Sequence, residues 1–176
     1  MTPRPAKHAA TRFDTYVQAH EANMEKLRGS EFVAADTLVF EEVPGATGIF
    51  LSGEVACKGR IVVSVEKFLD VLEGDGPAAL VQTEMYTYNV FVRGWHNILR
   101  YDNQHPEHLY AGHQDPHHKH VFDWRSGDEK ECSPTWIGAE GWPTLSEVIR
   151  EAESWYWSNR EDLPDPDAYP ELERRG

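Results

Sequence analysis

The chain's 176 residues suit one domain with a single core, and 40% hydrophobic and 11% aromatic content is enough to build it. A formal net charge of −13 works against contact with phosphate backbones and anionic membranes, so a nucleic-acid ligand would need a local basic patch. No run approaches the roughly 20 apolar residues of a membrane span, and Cys57 and Cys132 form no CxxC pair and no disulfide framework.

Residues 1–11 read as a flexible leader. The start carries positive charge, but no apolar run of about 7–15 residues follows, as a secretion signal requires. With two free thiols, the expectation is a cytoplasmic protein. RFDTYVQAHEANMEKLRG (12–29) sets Phe13, Val17, Met24 and Leu27 near one helical face and ends at Gly29, which predicts an amphipathic helix. Strand-like runs follow: DTLVFEEV (36–43), GIFLSGEVAC (48–57) and RIVVSV (60–65), the last two joined by a tight turn at Lys58-Gly59. EKFLDVLE (66–73) either extends that strand or forms a short helix; its apolar doublets lean weakly to helix.

ALVQTEMYTYNVFV (79–92) is the clearest strand, and WHNILRYD (95–102) returns beside it after Arg93-Gly94, as an antiparallel hairpin. Residues 103–142 have the composition of a loop, a long one of the kind that carries function. TLSEVIREAESWYW (144–157) predicts a second helix, with a capping box at Thr144 and Glu147 and a stripe of Leu145, Val148, Ile149 and Ala152. Residues 159–176 form an acidic, Pro-rich tail. The layout is α+β: a curved antiparallel sheet in one domain (12–158), with an N-terminal and a C-terminal helix packed on one face.

The chemistry-bearing stretch is RYDNQHPEHLYAGHQDPHHKH (100–120), which holds six of the nine histidines. Imidazole titrates near neutrality, so two histidines can share the work of RNA cleavage. One takes a proton from a 2′-hydroxyl, the other gives one to the departing 5′-oxygen, and a cation from Arg93, Arg100, Lys119 or Arg125 stabilises the phosphate. A metal site is the alternative: His105, His108, His113 and Asp115, with Asp102 and Glu107 nearby, are ligand types for zinc or another divalent transition metal. No standard zinc pattern is met, so no metal is favoured. The third alternative is a non-enzymatic protein-binding module in which the His-rich loop and Trp155-Tyr156-Trp157 grip a partner, although such an aromatic triplet more often reads as core.

Arg100-Tyr101-Asp102-Asn103, followed by Pro116-His117-His118-Lys119-His120, resembles the TumE-like family of toxins from toxin–antitoxin modules. The resemblance covers residues of about 36 to 157. It includes a tyrosine-rich strand (Tyr86, Tyr88), a strand ending in RYDN, a His-rich loop and a closing helix. The leader, the Trp136–Trp142 segment and the tail look like additions to that pattern. The resemblance implies a toxin partnered by an antitoxin from a neighbouring gene, with RNA as the substrate to test and an oligomer allowed. It points to Arg100, Asp102, His117, His118 and His120 as site residues. Joined to the acid–base reading, the catalytic set becomes His117, His118, His120 and Asp102, with Arg93, Arg100, Tyr101, Asn103 and Lys119 as substrate contacts.

Overall fold

The computed structural model describes residues 7–104 and 117–173. Its strands are β1 (Thr11–Arg12), β2 (Val33–Asp36), β3 (Val39–Glu42), β4 (Gly48–Cys57), β5 (Ile61–Glu73), β6 (Leu80–Val92), β7 (Asn97–Asp102), β8 (His118–Val121) and β9 (Thr135–Trp136). The helices are α1 (Phe13–Arg28) and α2 (Leu145–Asn159). The sheet runs β2-β4-β5-β6-β7-β8-β9, with β3 on β4 and β1 on β6, and every pairing is antiparallel. Both helices lie on one face: Met24 and Leu27 of α1 and Val148, Ile149, Ala152 and Tyr156 of α2 share one core with Leu51, Val55, Val63 and Val65. No described helix is long and apolar enough to cross a membrane.

Residues 66–73 are strand throughout, because their apolar doublets conceal a period of two. Val65, Lys67 and Leu69 turn to the helices, while Glu66, Phe68 and Asp70 alternate with them. The long strand β6 carries apolar residues of both parities for a different reason. Phe68 opposes Met85 but Leu69 opposes Thr83, so Glu84 is an extra residue in a bulge. The bulge returns Val81 to the helix side along with Tyr86, Tyr88 and Val90. Asn103 holds it: its Nδ2 donates to the Glu84 carbonyl (2.8 Å) and its Oδ1 accepts from Tyr86 N–H (3.0 Å).

The run expected as one strand over 36–43 is broken at Thr37-Leu38, where the chain crosses Gly53 of β4. Thr37 N–H donates to the Glu54 carbonyl (2.9 Å), and Glu54 N–H donates to Thr37 Oγ1 (3.1 Å). Gly53 has φ of 146°, and a Cβ there would stand 2.5 Å from the Thr37 carbonyl oxygen. Backbone blocks that space on one side and the dihedral excludes it on the other. Gly53→Ala is therefore expected to cost at least about 2 kcal/mol, read as a lower midpoint of denaturant unfolding. An unchanged midpoint would disprove this account of the crossing.

Helix α2 has both halves of the expected capping box, Glu147 N–H to Thr144 Oγ1 (3.3 Å) and Thr144 N–H to Glu147 Oε2 (2.7 Å). Of the aromatic triplet near its end, Tyr156 is buried, Trp155 half-buried and Trp157 exposed. The tail runs back over the turn after β4: Leu163 is buried, Tyr156 Oη donates to the Pro166 carbonyl, and Arg60 N–H donates to the Ala168 carbonyl. At the other end, the His8 ring stacks on Trp142, and Thr11 pairs with Val81.

Candidate active site on the face away from the helices

Alternation along β7 and β8 sorts the predicted residues into two sets. Arg100 opposes His120, and Asp102 opposes His118, so these four share a face. Tyr101 and Lys119 oppose each other on the helix side. There Tyr101 Oη donates to Glu151 of α2 (2.7 Å), and the Lys119 ammonium pairs with the same carboxylate. His118 and Asp102 are buried, at 1% and 4% exposure, on the face that points away from α1 and α2. Trp136 of β9 covers His118, with ring centres 5.4 Å apart.

Asp102 is the hub. Its Oδ1 meets His118 Nε2 at 2.9 Å, and its Oδ2 accepts from Arg100 Nε at 2.8 Å. Burial pushes its carboxyl up, but the hydrogen bond and charge of His118, then Arg100, outweigh this and leave it below the ordinary carboxylate range. An ionised carboxylate only accepts, so the proton between this pair belongs to His118 Nε2. His120 is held in the same manner by a second acid, with Nδ1 at 2.6 Å from Glu129 Oε1. Glu129 also accepts from Ser133 Oγ, and this bond, ahead of that from His120, holds its carboxyl low. The proton of neutral His120 therefore sits on Nδ1, and the lone pair is left on Nε2. That Nε2 is buried, and among the described residues it has no hydrogen-bond partner. The two imidazoles stand edge to face, with centres 4.7 Å apart.

A family model described as Toxin TumE matches residues 23–156. The chain belongs to this family. No curated protein and no solved structure matches it. The matched span holds the whole cluster of Arg100, Asp102, His118, His120 and Glu129, so the site lies within the TumE domain. It leaves out residues 13–22 of α1, residues 157–159 of α2 and the tail.

The remaining predicted residues lie elsewhere in the TumE fold. His117 is on the helix side, where its Nδ1 bonds Tyr86 Oη (3.0 Å) and its ring stacks on Trp142. Arg93 pairs with Glu54 and with Glu173 of the tail. Arg125 reaches Asp162. His105, Glu107, His108, His113 and Asp115 fall outside the described residues. A different trio has the chemistry and spacing of a metal site: ligand atoms of Asp102, His118 and His120 lie within 4.8 Å of one another. Glu129 and Ser133 were not singled out by sequence reasoning. They sit in an acidic turn that reads as solvated surface, and nothing local ties them to His120.

Proposed function

We propose that this TumE-family toxin is an endoribonuclease working by acid–base catalysis at the Asp102–His118–His120 cluster, and that an antitoxin from a neighbouring gene restrains it. The observation that carries the reading is the buried, unpartnered Nε2 of His120 beside the Arg100 side chain, on a face turned away from both helices. His120 Nε2 removes the proton of a 2′-hydroxyl, and Glu129 steadies the imidazolium that results. The 2′-oxygen attacks phosphorus, and the bond from phosphorus to the 5′-oxygen breaks. His118, in its protonated form and held by Asp102, gives a proton to the leaving oxygen. The Nη groups of Arg100, whose Nε is spent on Asp102, hold the phosphate. The products are a 2′,3′-cyclic phosphate and a 5′-hydroxyl, and the test is their appearance when the purified chain meets RNA.

The same trio supports a second reading, a metal-dependent hydrolase, because two imidazoles and a carboxylate suit zinc with an open position. The 2.9 Å contact between Asp102 and His118 Nε2 argues for the first reading, since a proton stands between two of the three would-be ligands. Cleavage that persists in excess chelator separates the two.

A further inference from the structure

We propose that the cavity between α1, the sheet and the start of α2 binds a small organic anion, with the ammonium of Lys67 as its counter-charge. The cavity has a volume of about 430 Å³, within the usual range for small-molecule sites. It lies on the helix side of the sheet, away from His120, and half its wall comes from residues 7–20, outside the TumE match.

Lys67 projects from β5 into this space and is 7% exposed. Among the described residues its Nζ has no carboxylate and no hydrogen-bond acceptor; its one polar contact is the ring face of Tyr16, 5.1 Å away. Burial alone lowers it to about 8, so it remains mostly a cation at neutral pH. A buried ammonium with no partner is costly, and an anion seated beside it would remove that cost.

The rest of the lining suits the same ligand. Among the described residues no Asp or Glu lines the cavity, in a chain with 30 of them. Lys7 reaches the rim but is already paired with Glu147. Burial lowers His8 to about 4 and also lowers His20, so both imidazoles are neutral and can hydrogen-bond without adding charge. Leu145 and Ser146, the first two residues of α2, line the far end, where helical N–H groups lack intrahelical partners. Met24, Val81 and Leu145 give the cavity an apolar side. One cation and this apolar wall call for an anionic head, carboxylate or phosphate ester, on a compact apolar body.

The test is calorimetric titration of the full chain at pH 7 with benzoate, phenyl phosphate and uncharged benzyl alcohol. At least one anion should bind saturably and at least ten-fold more tightly than the alcohol, and the stronger of the two identifies the head group. Lys67→Met should raise the melting temperature of the free protein and weaken that anion at least ten-fold. Ala19→Trp keeps the lysine and obstructs the exposed α1 wall, and it should weaken binding by a similar factor. Saturable binding by neither anion, or binding by Lys67→Met as tight as by the native chain, overturns the proposal. If Lys67→Met does not fold, native-strength binding by Ala19→Trp overturns it instead.

Discussion

His120→Ala is expected to abolish the growth arrest that induction of the native chain causes in cells lacking the neighbouring gene. Among the described residues His120 Nε2 has no hydrogen-bond partner, which leaves it to act as the base, and general-base catalysis contributes about 100- to 10,000-fold. A loss of that size leaves too little activity to stop growth. The side chain is partly exposed, at 14%, and its hydrogen bond runs to Glu129 on the surface, so the variant should keep the native melting profile. This separates loss of chemistry from loss of fold. His117→Ala is the control on the neighbouring residue. Its ring belongs to the Tyr86–Trp142 stack on the helix side, so arrest should persist wherever that variant folds. Arrest unchanged in a folded His120→Ala chain would remove His120 from the mechanism.

Asp102→Asn is expected to affect stability as well as activity. The carboxylate lies between His118 and Arg100 with a side-chain exposure of 6%. Arg100 is more than a third exposed, so water screens part of its share. The loss should be about 2–3 kcal/mol rather than the larger cost of a fully buried pair. The pH dependence gives a sharper signature. The carboxyl of folded Asp102 is held below its ordinary value, so the unfolded chain takes up this proton first as the solution is acidified. Its stabilising contribution is complete above the ordinary carboxylate pKa, near 4, and is lost as pH falls through the folded value. Native chain and variant should therefore differ most at neutral pH and converge on acidification, measured as unfolding midpoints from pH 7 down to pH 3. A constant gap across that range would mean that the Asp102 charge does not set the difference.

Much of this site could be read from two short motifs, and the rest required pairings that no local pattern carries. Arg100–Asp102 and His118–His120 lie beside each other on adjacent strands, so the expectation that the last histidines fold back on Arg100–Asn103 matches the structure. Alternation then divides them: the even-numbered Arg100, Asp102, His118 and His120 share a face, and His117, Lys119 and Tyr101 take the other. That division needs only a period of two once 117–121 is taken as strand, but a His- and Pro-rich segment has the composition of a loop. Glu129 and Ser133 could not be assigned, because they reach His120 through a turn whose path depends on β8 already being in place. Asn103 belongs to the matched motif, yet it secures the bulge at Glu84. The trace of that bulge was the mixed parity of apolar residues in β6, which by itself looks like a strand buried on both faces. Lys67 was hidden in EKFLDVLE, whose helix-like doublets obscured the fact that it points inward.

The central claim is that the cluster cleaves RNA without a metal, and one measurement tests it most directly. Purified, untagged chain is incubated with a defined RNA in excess chelator, and the new ends are identified by mass. The account predicts fragments ending in 2′,3′-cyclic phosphate and 5′-hydroxyl, formed at the same rate with and without chelator. Intact RNA, or cleavage that chelator abolishes, would contradict it.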